Sequence, residues 1–141
     1  WFRRDLRLGD HPALNAAAEC GPVLPLLVLN PTQLVNAGDK PRARFLQSVR
    51  ALNEQLEGRL VVRTGDPREV VPAAAAEVGA DRVFASADFT PFGKARDEVV
   101  GELLVNAGRR LDFVGSPYAI SPGRVLKSDG TPYRVFTPFY K

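Results

Sequence analysis

The stretch RLVVRTGDPREVVPAAAAEVGADRVFASAD, residues 59–88, contains a complete strand–helix–strand unit. Residues 59–65 form a short apolar run typical of a strand, and the Gly-Asp-Pro sequence at 65–67 supplies a strand end, a helix N-cap and a proline for the first helical position. Gly79 ends the helix, and residues 81–88 are predicted to form the next strand. A strand–helix–strand sequence with short connections predicts that the two strands run parallel. The connection between such strands is nearly always a right-handed crossover.

The helix inside this unit contains a proline that constrains its predicted length. Pro72 has no backbone N–H, so it would remove a hydrogen bond if it lay deep inside the helix. We therefore predict that the regular part of the helix covers about residues 70–79. The positions predicted to face the core are Val70, Val71, Ala74 and Val78.

The chain before this unit shows the same alternation. Residues 23–30, VLPLLVLN, form a nearly continuous apolar run, as expected for a strand that is covered on both faces. Asp10 is predicted to N-cap a helix before this strand, and residues 30–40, rich in turn formers, are predicted to be a loop after it. A long helix then begins at Asp39 or Lys40. Its apolar stripe, at helical spacing, consists of Phe45, Val49, Leu52 and Leu56.

The chain after the unit adds one more helix and one more strand. Residues 93–107 are predicted to be helical, and residues 109–115 are predicted to form a strand. Trp1 and Phe2 are interpreted as the last residues of a first strand whose beginning is missing, as in an excised or truncated domain. The inward positions of the helix at 93–107 are predicted to be Val99, Val100, Leu103 and Leu104.

The order of these elements predicts one fold class. We expect an α/β domain over residues 1–115, with a Rossmann-like, doubly wound, parallel five-stranded sheet in a three-layer α/β/α sandwich. Residues 116–141 contain several prolines and a Ser-Asp-Gly turn but no helical period. They are predicted to form an extended, hairpin-like tail that leads toward another domain.

Composition narrows the possible functions. The chain has 141 residues and a net charge of +3, which is far from the dense positive charge that alone would indicate nucleic-acid binding. One cysteine, Cys20, and one histidine, His11, cannot supply a four-ligand zinc site or an internal disulfide. We expect His11 to be an exposed residue at a helix start and Cys20 to be a small apolar filler. No metal site and no membrane span are expected, and the expected location is cytoplasmic.

Candidate binding residues follow the predicted strand ends. Ligands of open parallel sheets bind at the carboxyl ends of the strands, where polar and aromatic side chains cluster in this sequence. An aromatic face, a carboxylate and a guanidinium together suit a flat heteroaromatic ligand, and the chain has neither a G-x-G-x-x-G sequence nor a P-loop. The candidates are Arg3, Arg4, Asn30, Arg42, Asp88, Phe89, Phe92 and Gly93.

Each candidate also has a structural interpretation. Asp88 is as well suited to N-cap the following helix as to bind a ligand. Arg42, at a helix start, is of a type that is usually solvated, and Phe89 and Phe92 are of a type that usually fills a core. At least one of the arginines near the start of the chain is expected to pair with Asp5 or Asp10.

Four segments of the chain resemble the DNA photolyase and cryptochrome family. They are WFRRDLRLGDHPAL at 1–14, GDP at 65–67, DFTPFGKARD at 88–97 and GSPYAISPGRVLKSDGTPYRVFTPFYK at 115–141. The resemblance covers essentially the whole chain and implies the amino-terminal α/β domain that holds an antenna chromophore. It also implies that FAD and the DNA-lesion pocket belong to a separate carboxy-terminal helical domain, outside these 141 residues.

The resemblance also implies which chromophore the domain holds. Relatives that bind folate carry an Asn-Glu pair where this chain has Phe92 and Gly93. The sequence from Asp88 to Gly93 resembles relatives that bind 8-hydroxy-5-deazaflavin, in which residues matching Asp88 and Arg42 contact the pigment. FMN or FAD presents the same pyrimidine edge, so flavin nucleotides remain alternatives, together with folate.

The function implied by the resemblance is light harvesting for a deoxyribodipyrimidine photolyase. In such a protein the antenna passes excitation energy to FAD, which drives the repair of cyclobutane pyrimidine dimers in UV-damaged DNA. This chain alone is not expected to be catalytic. The alternatives are a cryptochrome-type blue-light photosensor domain and an unrelated α/β nucleotide-binding module.

Overall fold

Helices and short strands alternate along the part of the chain that the computed structural model describes, residues 1–118, 120–133 and 140. Each βα connection is short, as expected for crossovers that return the chain to a parallel sheet. The elements are α1 (Pro12–Cys20), β1 (Leu26–Leu29), α2 (Pro31–Asn36), α3 (Asp39–Gln55), β2 (Val61–Thr64), α4 (Pro67–Glu77), β3 (Arg82–Ala85), α5 (Pro91–Asn106) and β4 (Arg110–Phe113).

The strands pair in two parallel sets. β1 pairs with β2, and β3 pairs with β4, so the described residues form two two-stranded sheets. Trp1 and Phe2 lie between the sets: the Phe2 N–H donates to Leu26 O at 2.8 Å, and the Trp1 nitrogen donates to Phe84 O at 2.7 Å. Within the described residues the strands pair as these two sets, and Phe2 adds one isolated bridge to Leu27, so parallel pairing is confirmed but a continuous five-stranded sheet is not.

Helices cover both faces of the strands. Leu26 packs with Val71 of α4 and Val100 of α5, whereas its neighbour Leu27 packs with Val49 of α3 on the opposite side. This alternation follows from the two-residue period of a strand, which sends successive side chains to opposite faces. The predicted three-layer α/β arrangement is therefore confirmed, and the stripe predicted on α3 does face the strands.

Helix α4 extends further toward its amino end than the sequence predicted. It begins at Pro67 rather than near residue 70 and continues through Pro72. The carbonyl that would accept from residue 72 belongs to Arg68, an exposed residue of the first turn, so water can replace the missing donor. Val71 and Ala74 are buried as predicted, but Val78 is 50% exposed because it lies at the C-cap.

Two further local predictions were wrong. Residues 31–36 form helix α2 inside the predicted loop, capped by the Asn30 side chain and started by Pro31, the same N-cap and proline pattern that opens α4. On α5, Val100 and Leu104 are buried, but the other two predicted core residues are partly exposed because the buried stripe is narrower than predicted. Those two residues are Val99 and Leu103.

The tail forms a hairpin in its described part. Leu126 and Pro132 make an antiparallel bridge, and the Lys127 N–H donates to Thr131 O at 2.9 Å. This bridge is consistent with the hairpin-like prediction, which stays a prediction, and residues 119, 134–139 and 141 lie outside the described part of the chain. The division between a domain at 1–115 and a tail at 116–141 stays a prediction.

An apolar groove lies at the amino-terminal edge of the strands. It has a volume of about 640 Å³ and runs between residues 21–25, which precede β1, and residues 79–84, which lead into β3. Trp1 is among the residues that line it. In the described ranges, none of the helices is long and apolar enough to cross a membrane.

Candidate functional site

The Asp88 carboxylate lies just beyond the carboxyl end of β3 and contacts the start of α5. Its Oδ1 accepts from the Thr90 N–H at 3.0 Å and from the Thr90 hydroxyl at 2.9 Å. Thr90 is the N-cap itself, since its Oγ1 accepts from the Gly93 N–H at 3.0 Å. Asp88 therefore holds the capping residue instead of capping the helix, and its second oxygen is left for other partners.

Gly93 allows Asp88 to take this position. A Cβ atom built on Gly93 would overlap the carboxyl carbon and both oxygens of Asp88. Gly93 is buried in the first turn of α5, so the carboxylate rests directly on the helix backbone. A glycine is thus required at position 93, because the Asp88 carboxylate lies against its Cα atom.

A buried ion-pair network continues from Asp88. Arg96 Nη2 lies 3.4 Å from Asp88 Oδ2, and the same guanidinium donates two hydrogen bonds to Asp97 Oδ1, at 2.9 and 2.7 Å. The other oxygen of Asp97 accepts from Arg3 Nη1 at 2.6 Å. The four side chains are only 7–13% exposed, so water screens their interactions weakly. Asp97 consequently connects α5 to the segment that follows Phe2.

The Trp1 ring supports this network. The Arg3 guanidinium carbon lies 4.3 Å from the ring centroid, and that of Arg96 lies 5.0 Å from it. Cation–π attraction therefore adds to the ion pairs. Burial lowers the pKa of Arg3, although pairing with Asp97 opposes that effect. Arg3 Nε and Nη2 are buried and donate to no acceptor within the described residues.

Asp88 is held in its ionised form. Burial alone would raise the pKa of this carboxyl, but the two hydrogen bonds from Thr90 and the charges of Arg4 and Arg96 outweigh burial and lower it. Arg4 is exposed at the same edge, and with Arg3 and Asp88 it lines a void of about 10 Å³. That volume is about the space of one water molecule.

A second buried cluster fixes the neighbouring loop. His11 Nε2 lies 3.0 Å from Asp5 Oδ2, and the Ser86 hydroxyl donates to the same oxygen. The His11 Nδ1 accepts from the Leu14 N–H at 3.1 Å, so His11, and not Asp10, is the N-cap of α1. His11 is 3% exposed, which corrects the expectation of an exposed residue. The cluster ties Asp5 to the end of β3.

The remaining predicted residues are more scattered. Asn30 accepts from the Gln33 N–H as the cap of α2, and Phe92 is 59% exposed. Phe89 is half-buried and meets the Tyr118 ring edge-on at 6.2 Å. Arg42 pairs with Asp39 at 2.8 Å on its own helix, and within the described ranges it contacts none of the other candidates. The structure brings together Arg3, Arg4, Asp88 and Gly93.

The sequence analysis missed the residues that connect this site. Asp97 lies on the buried stripe of α5 together with Gly93, Val100 and Leu104. A carboxylate on an apolar stripe needs a buried partner, so its position was a usable signal. The missed residues are Trp1, Arg96 and Asp97. Cys20, predicted to be a buried filler, is exposed, and its sulfur accepts from Arg82 Nη1 at 3.3 Å.

The chemistry of this edge fits the polar rim of a planar ring. An ionised carboxylate accepts from a ring N–H, and the exposed guanidinium of Arg4 can donate to a ring carbonyl. The void beside Asp88 is too small for a ring, so the residues that line it do not enclose one. Nowhere in the described ranges do three His, Cys, Asp or Glu side chains gather as a metal site would require.

Comparisons with known proteins show which family the chain resembles. The family model for DNA photolyase matches residues 1–141. The chain is 42% identical over 142 residues to a deoxyribodipyrimidine photo-lyase of Thermus thermophilus, covering 99% of this chain and 32% of that protein. It superposes on the crystal structure of a bacterial class III photolyase from Agrobacterium tumefaciens with a TM-score of 0.79 and 31% identity, over 99% of this chain and 30% of that one.

A second solved structure adds a light-harvesting cofactor to the comparison. An archaeal photolyase from Sulfolobus tokodaii matches with a TM-score of 0.71 and 31% identity, over 81% of this chain and 28% of that one. That structure is described as containing two FAD molecules, with the implication of a novel light-harvesting cofactor. The chain spans about a third of the length of the relatives named here. Since the family model matches it from end to end, the chain belongs to the DNA photolyase family.

Proposed function

We propose that this chain is the light-harvesting domain of a DNA photolyase. The observation that carries the proposal is the match of the photolyase family model to all 141 residues. In a protein that joins this chain to the helical FAD domain of the family, the antenna pigment passes excitation energy to FAD. The flavin then drives the repair of cyclobutane pyrimidine dimers in UV-damaged DNA.

The residues at the carboxyl ends of the strands favour a pigment that has the pyrimidine edge of a flavin. Asp88 is ionised and keeps one oxygen free of the Thr90 hydrogen bonds, and Arg4 offers an exposed guanidinium beside it. That pair suits 8-hydroxy-5-deazaflavin, whose ring N–H lies between two carbonyls. FMN and FAD offer the same edge, while folate is disfavoured by Phe92 and Gly93, which stand at the Asn-Glu positions. In this assignment Arg4 takes the role expected of Arg42.

Repair activity tests the function as a whole. A protein that contains this chain and the FAD domain is expected to remove pyrimidine dimers from irradiated DNA under blue or near-UV light and not in darkness. The dimer content of the DNA is measured after each treatment. Repair that proceeds in darkness would overturn the proposal. No repair in light with reduced FAD present would also overturn it, and would favour the photosensor alternative.

Pigment binding tests the site. The 141-residue chain is titrated with 8-hydroxy-5-deazariboflavin, FMN and a methenyl folate, and bound absorbance gives the affinity of each. Asp88→Asn is expected to weaken deazaflavin binding by about tenfold or more, because a charge-assisted hydrogen bond is lost.

Asp129→Asn is the matched control for that variant. Asp129 accepts from the N–H and hydroxyl of Thr131 in the same local pattern as Asp88 and Thr90, but on the exposed hairpin. The control is expected to bind the pigment as the wild type does. Equal affinity of Asp88→Asn and wild type would refute the role of Asp88.

A further inference from the structure

We propose that Asp97 is a positioning residue for the pigment site: through Arg96 it sets the orientation of the Asp88 carboxylate. This inference rests on the proposed function, because it concerns the residue that we expect to hold the pigment. Asp97 does not contact Asp88 itself. It acts through a guanidinium that contacts both carboxylates.

The hydrogen-bond donors of Arg96 are divided unequally between Asp97 and Asp88. Two of its hydrogen bonds go to Asp97 Oδ1, at 2.9 and 2.7 Å, whereas the approach to Asp88 Oδ2 is 3.4 Å. Asp97 therefore draws Arg96 away from a close, two-point pair with Asp88. As a result, Asp88 keeps a nearby positive charge while its Oδ2 remains available to accept from a ligand.

The other side of Asp97 anchors the arrangement. Its Oδ2 accepts from Arg3 at 2.6 Å, and both guanidiniums lie against Trp1. Asp97 thus cannot turn toward Arg96 or away from it without breaking a pair that is more than nine-tenths buried. The bond made by Oδ2 fixes the direction of Oδ1, and Oδ1 in turn holds Arg96.

Among the described residues, the charges that face Asp88 come from two parts of the chain. Arg96 comes from α5, and Arg3, Arg4 and Asp5 come from the segment after Phe2, where they share the small void with Asp88. Removal of Asp97 deletes a negative charge from this group. Arg96 is then expected to close on Asp88 and to occupy the oxygen that the pigment needs.

The experiment compares three substitutions in the 141-residue chain. For each, the affinity for 8-hydroxy-5-deazariboflavin is measured by bound absorbance, and the pKa of Asp88 is measured without pigment from its carboxyl carbon chemical shift. Arg96→Gln removes the charge, Arg96→Lys keeps the charge but not the two-point grip, and Asp97→Asn frees Arg96. Glu98→Gln, at the adjacent exposed residue of α5, is the matched control.

The expected results differ in direction among the variants. Arg96→Gln removes a positive charge near Asp88 and is expected to raise the Asp88 pKa. Asp97→Asn removes a negative charge and is expected to lower the Asp88 pKa below its wild-type value. Arg96→Lys leaves the pKa close to that of the wild type. All three variants weaken pigment binding by about tenfold, the loss expected for one charged hydrogen bond, while Glu98→Gln changes neither quantity.

Specific outcomes would overturn the inference. If Asp97→Asn does not fold, Arg96→Gln and Arg96→Lys still decide, since both leave the Arg3–Asp97 pair in place. A merely structural role predicts weaker binding with no opposite movement of the Asp88 pKa, and that result rejects positioning. If the pKa values move as expected but the wild type binds no pigment, the proposed pigment function fails while the charge coupling stands.

Discussion

The two edges of the strands differ more than their shared architecture suggests. The amino edge carries a groove of about 640 Å³ lined mostly by apolar residues, among them Val23 and Leu24, which are more than a third exposed. The carboxyl edge carries a void of about 10 Å³ surrounded by charged side chains. The larger opening is therefore mainly apolar, with Asp81 and Arg82 among its few charged lining residues, whereas two arginines and two carboxylates line the smaller one.

This difference teaches that charge and position mark the site better than volume does. A largely apolar groove can bury a surface but offers few groups to orient a polar ring. At the carboxyl edge the parallel strands all end on the same side, so side chains that are far apart in sequence meet there. Arg3 and Asp97, for example, are 94 positions apart and pair at 2.6 Å.

The largest expected effect comes from breaking the buried pair at the carboxyl edge. Asp97→Ala leaves the buried Arg3 guanidinium without its carboxylate and is expected to lower the free energy of unfolding by about 3–5 kcal/mol. Urea denaturation measures the change. The double variant Arg3→Met with Asp97→Leu is expected to recover most of this loss, because no unpaired charge remains buried. If the single variant is as stable as the wild type, the pair contributes no net stability.

A smaller effect is expected at the glycine beneath Asp88. Gly93→Ala places a methyl group where the Asp88 carboxylate lies, and the forced shift is expected to cost about 1–3 kcal/mol and to weaken pigment binding. Gly101→Ala is the control on the same helix: no atom lies within 4 Å of the added Cβ. It is expected to stabilise the helix by up to about 1 kcal/mol. Equal behaviour of the two variants would contradict the close contact.

The pH dependence of stability sharpens the same contrast. Burial would raise the pKa of Asp5, but hydrogen bonds from His11 and Ser86 outweigh burial and lower it well below the usual 3.8. Folding therefore favours the ionised form, so this contribution is present above pH 3.8 and is lost as the pH falls through the folded pKa. The melting temperature is expected to fall in acid, by less in Asp5→Asn than in the wild type.

Glu19→Gln is the control for that pH series, because Glu19 is an exposed carboxylate. Its melting temperature is expected to follow the wild-type curve from about pH 7 to about pH 2.5. If Asp5→Asn shows the same slope in acid as both proteins, Asp5 does not contribute the pH-dependent stability.

The smallest expected effect is at the amino edge. Val78 lines the groove and is half exposed, so Val78→Glu is expected to change the free energy of unfolding by no more than about 0.5 kcal/mol. Its pigment affinity is expected to stay within about twofold of the wild type. Loss of pigment binding in this variant would reverse the comparison, because it would place the pigment in the groove.

The sequence predicted those features that depend on near neighbours. The Asp66–Pro67 cap and the stripe containing Val49 and Leu52 were predictable, because capping and helical period are local properties. The same local pattern at Asn30 and Pro31 was interpreted as a loop, since turn formers follow it and α2 is only six residues long. Whether the two pairs of strands join into one sheet was not predictable, because only Trp1 and Phe2 represent the first strand in this sequence.

The candidate site was predicted only in part, for a related reason. The edge rule correctly grouped Arg3, Arg4 and Asp88, because strand ends converge whatever the helices do. Arg42 instead found Asp39 one turn away on its own helix, a local partner that competes with any distant site. The burial of His11 and Asp97 depends on partners far along the chain, which composition and periodicity do not reveal.

Trp1 gives the chain an internal optical probe. It is the single tryptophan of the chain, and it lines the groove. The guanidiniums of Arg3 and Arg96 lie against its ring. Its fluorescence therefore reports on both edges without a label: loosening of the guanidiniums admits water to the indole and shifts emission to longer wavelength. A bound near-UV absorber would instead accept the indole's excitation, so the same ring can show both whether the network is closed and whether a pigment has arrived.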